Sequence, residues 1–285
     1  MRLKHVLVTG ANGFLGRSLV ECLPDFKIIS FDKINGDVTT FDFGVYNAEC
    51  VVHLAALTSV EESWCIPADY YRTNIMGTLN ILEYCRKSNA SMIYVSTYTY
   101  GTPQYLPIDE KHPVSPHSVY NHSKFIAEDV CRFYAMNYDV SLTILRLFNL
   151  YGSGQSSNFL IPRIVQQALE SEHIELMDLK PKRDYIYITD AIDAIRLSIG
   201  KPGNNLYNVG SGHSVSVSEL CDIVQECTGT NKPVVTKNKT RKNEIMDVVA
   251  DCTRIKDELG WYPKVDLKEG IMHVVEGYSV KQVIL

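Results

Sequence analysis

Short β-branched runs alternate with amphipathic stretches along this chain. Residues 4–9 form the first apolar run, and 14–23 follow with hydrophobic positions at helical spacing. Residues 27–31 and 50–54 read as strands, 70–86 as a long helix and 92–96 as the next strand. A proline-containing loop covers 101–117. Ser118 stands where it can cap the helix that follows, in which Ile126, Val130 and Phe133 share one face. Residues 142–147 return to a strand. This alternation predicts a parallel sheet covered on both faces by helices. The stretch 32–49, broken at Asn35-Gly36, is too short for the helices usual at that point.

Beyond about residue 151 the pattern loosens. Helices are expected over 159–171, 192–199, 253–259 and 267–275, and a strand over 186–188. Ser216-x-x-Glu219 is a capping-box pattern that starts another helix. No repeat or low-complexity tract interrupts the chain. The expected organisation is an α/β fold with a main domain over 1–155, to which segments near 184–210 return. Residues 156–285 would mainly build a smaller C-terminal α/β lobe. Single cores stop growing at roughly 250–300 residues, and the chain has 285.

Composition constrains partners more than fold. The chain is 45% hydrophobic and 21% charged, ordinary globular values. A net charge of −5 makes no electrostatic case for nucleic acid or an anionic membrane. An anionic small ligand would need locally placed Arg and Lys. The opening MRLKHVLVTG has too short an apolar run for a signal peptide, and no stretch is long enough to cross a bilayer. The eight cysteines are scattered, without CxxC, and read as reduced residues in a cytoplasmic protein; a disulfide framework is the alternative.

VLVTGANGFLG (6–16) spaces Gly10, Gly13 and Gly16 three apart between a strand and a helix. Such a loop turns tightly and lets backbone N–H groups approach a pyrophosphate at the helix N-terminus, so Asn12, Phe14 and Leu15 join the glycines as candidate dinucleotide contacts. Asp32 ends the second strand about twenty residues on, where a carboxylate can accept from an adenosine ribose hydroxyl. That carboxylate would repel a 2′-phosphate and favours NAD, while Lys33 beside it leaves NADP open. Asp37 and Val38 are adenine-side candidates, with a turn aspartate as the rival role for Asp37.

Taken in order, Gly10-x-x-Gly13-x-x-Gly16, HLAA (53–56), Asn74 in NIMGTLN, YNHSK (120–124) and RLFNLYGSGQ (146–155) resemble the extended short-chain dehydrogenase/reductase family. The likeness is to its nucleotide-sugar epimerase and dehydratase branch and runs from about residue 3 to 268. It implies a Rossmann-type doubly wound parallel sheet with a substrate-binding lobe. It also implies that Leu54, Ala55, Ala56 and Asn74 line the cofactor. The helices over 70–86 and 118–138 would pair into a homodimer.

Within that resemblance Tyr120 and Lys124 are the acid–base pair, one turn apart on a helix face. A phenol ionises near pH 10, so reactivity near 7 needs roughly 4 kcal/mol. One ammonium about 4 Å away at an effective dielectric of 20 supplies about that much. The family's third member is a hydroxyl in VSTYTYG (95–101). Counting from the strand gives Thr97, and counting back from Tyr100-Gly101 gives Ser96. The related 4,6-dehydratases carry Asp-Glu after this hydroxyl to remove water, and Tyr98-Thr99 stands here, which disfavours that reaction.

Arg183 and Arg241 match family positions that bind the substrate's diphosphate, and Asn149 one that donates to it; Arg chemistry suits phosphate. Arg183 has a rival role as an ion-pair partner of Asp184 or a solvated charge. Thr58 and Ser59 would reach the sugar. His53 reads as a hydrogen-bonded core histidine. His112, His117 and His122 lack ligand geometry, and no metal is expected. The resemblance thus implies an NAD-dependent nucleotide-sugar 4-epimerase. The rivals are an NAD(P)H-dependent 4-keto-reductase of a nucleotide deoxysugar and a dinucleotide-sensing protein without catalysis.

Overall fold

The structure is a computed structural model that describes residues 4–237 and 244–283. In chain order it contains β1 (His5–Thr9), α1 (Phe14–Glu21), β2 (Lys27–Phe31), β3 (Cys50–His53), α2 (Val60–Ser63), α3 (Pro67–Tyr71), α4 (Gly77–Ser88), β4 (Ser91–Thr97), α5 (Val119–Asn137), β5 (Leu142–Leu147) and β6 (Asn149–Tyr151). Then follow α6 (Leu160–Glu170), β7 (Ile174–Leu176), β8 (Lys182–Tyr187), α7 (Ile188–Ser198), β9 (Asn204–Val209), β10 (Ser214–Ser216), α8 (Val217–Thr228), β11 (Val234–Thr236), α9 (Thr253–Leu259) and α10 (Leu267–Val283).

Six strands form one parallel sheet in the order β2-β1-β3-β4-β5-β9. The expected doubly wound α/β sheet is therefore present. Side chains alternate between its two faces. Val6, Val8, Val52, Ile93 and Leu145 point into one core with α1, α6, α7 and α8. Leu7, Val51, Met92, Tyr94 and Ile144 point into the other, with α4 and α5. Strand order reverses where β2 and β3 flank β1, which opens the crevice used by ligands of such sheets at the strands' C-terminal ends. As expected, 32–49 holds only a 3-10 turn, Phe43–Val45.

The later residues add a three-stranded sheet, β10-β8-β6, and a two-stranded one, β11-β7. β9 was not anticipated: its polar start, Asn204-Asn205, hides a strand that pairs with the whole of β5. The predicted helix over 70–86 is continuous but carries a π-turn, Arg72–Met76, between α3 and α4. The expected core face of α5 is corrected. Ser123, Lys124, Ala127, Glu128 and Cys131 are buried instead, and Phe133 is 53% exposed. Ser123 and Glu128 are hydrogen-bonded there, and the Lys124 ammonium lies over the Tyr94 ring. All eight cysteines are free. No described helix is long and apolar enough to cross a membrane.

Candidate active site

The glycine loop is shaped by close approach. Gly10 has φ +72, and a Cβ there would lie 2.8 Å from the Ala55 nitrogen. A Cβ on Gly16 would meet the Gly10 carbonyl oxygen at 2.1 Å. The loop therefore packs directly on the Leu54-Ala55 backbone that leaves β3. Gly13 caps α1 without a side-chain partner, so first-turn N–H groups face an incoming anion. Asp32 lies at the end of β2, and its carboxylate accepts from the Asn12 N–H at 2.9 Å and from the Lys33 N–H at 2.7 Å. A capless helix start beside a carboxylate at the switch point fits a dinucleotide's pyrophosphate and ribose.

Two cofactor-side candidates do other work as well. Asp37 accepts from the Thr39 N–H at 2.9 Å, and that bond holds its carboxyl below the usual range. This is the turn role weighed as its rival. Val38 is buried against Gly77, where a Cβ would lie 2.8 Å from it.

Asn74, buried in the π-turn, works as a clamp. Its amide donates to the Leu57 carbonyl at 3.1 Å and to Ser123 Oγ at 2.9 Å, and accepts from the Leu57 N–H at 2.8 Å. It thus fixes the loop after β3 to the helix that carries Tyr120 and Lys124. Short π segments are often found at functional sites.

Ser118 Oγ accepts from the Asn121 N–H at 3.1 Å and starts α5 as predicted. Tyr120 is half-buried at its first turn, with the Tyr70 ring edge-on at 6.5 Å. Lys124 is buried, its Nζ 4.1 Å from the centre of the Tyr94 ring. Burial lowers the Lys124 ammonium to about 8, with Cys131 and Glu128 opposing the fall. Burial also pushes the Tyr120 phenol above its ordinary range, and the nearby Thr97 hydroxyl offsets only part of the rise. The simple balance of one ammonium against one phenol is corrected here: desolvation dominates the phenol, and the Lys124 ammonium is not among the groups that offset it.

The two candidate hydroxyls part company. Thr97 reaches Tyr120. Ser96 is buried on the opposite side of β4 and donates to Glu128 Oε1 at 2.5 Å. Glu128 also binds Arg146 at 2.6 Å and Arg132 at 2.6 Å. Sequence reasoning missed this buried cluster. A signal was available, since Glu128 follows Lys124 by one turn and a charge on a buried face needs a partner.

On the other side of Thr97, Tyr98 donates to Asn149 Oδ1 at 3.1 Å, and the Asn149 amide donates to the Asp184 carbonyl at 2.9 Å. Arg183 pairs with Glu244 and donates to the Ile245 carbonyl at 2.6 Å. Its rival role is thereby corrected. Asp184 lies on the opposite face of β8 and accepts from Ser211, Gly212 and Ala250. Arg241 lies outside the described residues. Ser59 caps α2 by accepting from the Glu62 N–H at 3.1 Å, and Thr58 is exposed beside it.

His53 is a core histidine, bonded to Thr9 Oγ1 at 2.7 Å and Thr78 Oγ1 at 3.1 Å. Burial lowers it to about 3, so it stays neutral. Among the described residues no cluster could hold a metal ion.

A family model described as GDP-mannose 4,6 dehydratase matches residues 24–274. The chain belongs to that family. With it the chain joins the extended short-chain dehydrogenases/reductases, whose members here include epimerases, dehydratases and reductases of nucleotide sugars. A putative UDP-glucose 4-epimerase of Methanocaldococcus jannaschii is 31% identical, over 95% of this chain and 97% of its own. The UDP-glucose 4-epimerase of Thermotoga maritima, solved with UDP-glucose, superposes with a TM-score of 0.92 at 29% identity, covering 98% of this chain and 99% of that one. The enzyme RMD from Pseudomonas aeruginosa, solved with NADPH, gives 0.88 at 25% identity, over 98% and 99%. Solved family members thus hold NAD or NADPH at this fold.

Proposed function

We propose that this protein is an NAD-dependent nucleotide-sugar 4-epimerase. The observation that carries this is the end of β4 at Thr97-Tyr98, where Tyr98 holds Asn149 beside the strand of Arg183, with Tyr120 in the first turn of α5 and Lys124 buried one turn on. Bound NAD would supply the hydride acceptor and donor. Gly10, Gly13, Gly16 and the N–H groups of Phe14 and Leu15 would cradle its pyrophosphate, and Asp32, steadied by the Asn12 N–H, its ribose. Asp32 supports NAD over NADP.

Tyr120 would take the proton of the sugar's C4 hydroxyl while Thr97 holds that oxygen. Lys124 adds positive charge behind the phenol. The resulting 4-keto sugar would turn over within the site before reduction on its other face, and Tyr120 would return the proton. A 4,6-dehydration needs an acid and a base after Thr97, and Tyr98-Thr99 offers no carboxyl group. The diphosphate would exchange with Glu244 on Arg183. Two copies would pair through α4 and α5, where Phe133 and Met136 are 53% and 69% exposed.

Denaturing the purified protein and weighing the released nucleotides by mass spectrometry tests the cofactor cycle. Stoichiometric NAD is expected. An empty protein that then takes up NADPH would point to the 4-keto-reductase, and a Tyr120→Phe variant that keeps its full biological role would point to a sensor.

A further inference from the structure

We infer that Tyr98 lines the sugar subsite and selects among nucleotide sugars by the substituents on the ring edge that faces it. The inference rests on the nucleotide-sugar reading above. Tyr98 follows Thr97 at the end of β4, and its ring stacks on the buried Phe148 with centroids 5.2 Å apart and planes at 21°. Its hydroxyl donates to Asn149 Oδ1 at 3.1 Å. It also lies within electrostatic reach of Arg183 and of Tyr120.

One side chain therefore links both ends of the site: through Asn149 it is tied to β8 beside Arg183, and along the chain it follows Thr97 directly. In a hexose, C1 carries the diphosphate and C4 lies across the ring from it. A sugar anchored at C1 near Arg183 and presented through C4 to Tyr120 must pass Tyr98. That residue cannot simply swing aside, because stacking holds its face and Asn149 holds its tip. Burial keeps the phenol above its ordinary range, so at neutral pH it is a neutral wall whose one donor is held by Asn149. A ring substituent that reaches it must fit beside the phenol or forfeit a hydrogen bond, and a site that rejects a substituent this way discriminates by 10–200-fold for small differences in bulk.

The test compares wild type with Tyr98→Ala and Tyr98→Phe, each as NAD-loaded full chain. Calorimetric affinities are measured for UDP alone, UDP-xylose, UDP-glucose, UDP-glucuronic acid and UDP-N-acetylglucosamine, and each sugar is normalised to UDP. We expect Tyr98→Ala to change at least one ratio between sugars by about tenfold or more, and the substituent that responds identifies the edge Tyr98 faces. Tyr98→Phe keeps the bulk and is expected to leave size discrimination within threefold. If UDP binds and every ratio stays within threefold of wild type in both variants, Tyr98 does not touch the sugar and the inference is overturned. If wild type binds neither UDP nor any of the sugars, and dTDP and GDP also fail, the nucleotide-sugar reading itself fails and takes the inference with it.

Discussion

The hydroxyl of Ser96 donates to the buried carboxylate of Glu128 at 2.5 Å and so joins the end of β4 to the middle of α5. Arg146 from β5 and Arg132 from α5 bind the same carboxylate. Three elements meet on one charge, next to Thr97 in sequence and one turn beyond Lys124. Leaving a buried guanidinium unpaired costs about 3–5 kcal/mol, and losing one buried hydrogen bond costs about 1–3 kcal/mol. Glu128→Gln should therefore lower the unfolding free energy in urea by about 3 kcal/mol or more, and Ser96→Ala by about 1–2 kcal/mol. Equal losses would show that the charge is not what holds the three elements.

The separation of the two hydroxyls predicts unequal kinetics. Thr97→Val removes the group that meets Tyr120, and kcat for epimerisation should fall about 10²-fold or more. Ser96→Ala leaves Thr97 and Tyr120 intact, and a fall of less than about tenfold is expected. Tyr120→Phe should cost about 10²–10⁴-fold while NAD stays bound. Steady-state kinetics with the same nucleotide sugar checks all three, and a larger loss in Ser96→Ala than in Thr97→Val would reverse the assignment.

Much of this was legible beforehand, for physical reasons. The six-residue run of β5, the cap at Ser118 and the capping box at Ser216 follow local rules that tertiary contacts do not override. The glycines of the first loop mark close approach, which Gly10 and Gly16 display. The buried face of α5 was misread because hydropathy cannot see that Ser123, Lys124 and Glu128 have partners. Asp184 was weighed as the partner of Arg183 because they are adjacent, yet neighbours on a strand point to opposite faces, and Glu244, sixty-one residues away, takes the guanidinium. Three-residue strands such as β7 and β11 carry too little pattern to be read from sequence.

Burial brings Lys124 to about 8, and this fixes an alkaline limb. As pH rises through that value the ammonium is lost, and with it the positive charge behind Tyr120. The kcat/KM of the holoenzyme should fall above about pH 8. Lys124→Arg, which does not titrate in this range, should remove the limb even where it lowers the plateau. A limb of the same position in Lys124→Arg would assign it elsewhere.

His53 makes a second, acidic prediction. Its folded value of about 3 lies below the ordinary 6.5. Between those values the unfolded chain binds a proton that the folded chain refuses, so stability falls as pH drops from 6.5 toward 3. The contribution lost over the whole window is roughly 3–5 kcal/mol. His53→Gln, whatever its effect at pH 7, should show a shallower slope of unfolding free energy against pH between 4 and 6. Parallel slopes would mean that other groups govern the acid limb.

The central claim is a C4 hydride removed and returned within one site. The most direct measurement incubates the purified protein with UDP-glucose deuterated at C4, without added cofactor, and follows the sugar by NMR and mass. Epimerisation predicts UDP-galactose that keeps deuterium at C4, with no change in mass and no net NADH. A product lighter by one water, or turnover only with stoichiometric NADPH and a keto sugar, would contradict it.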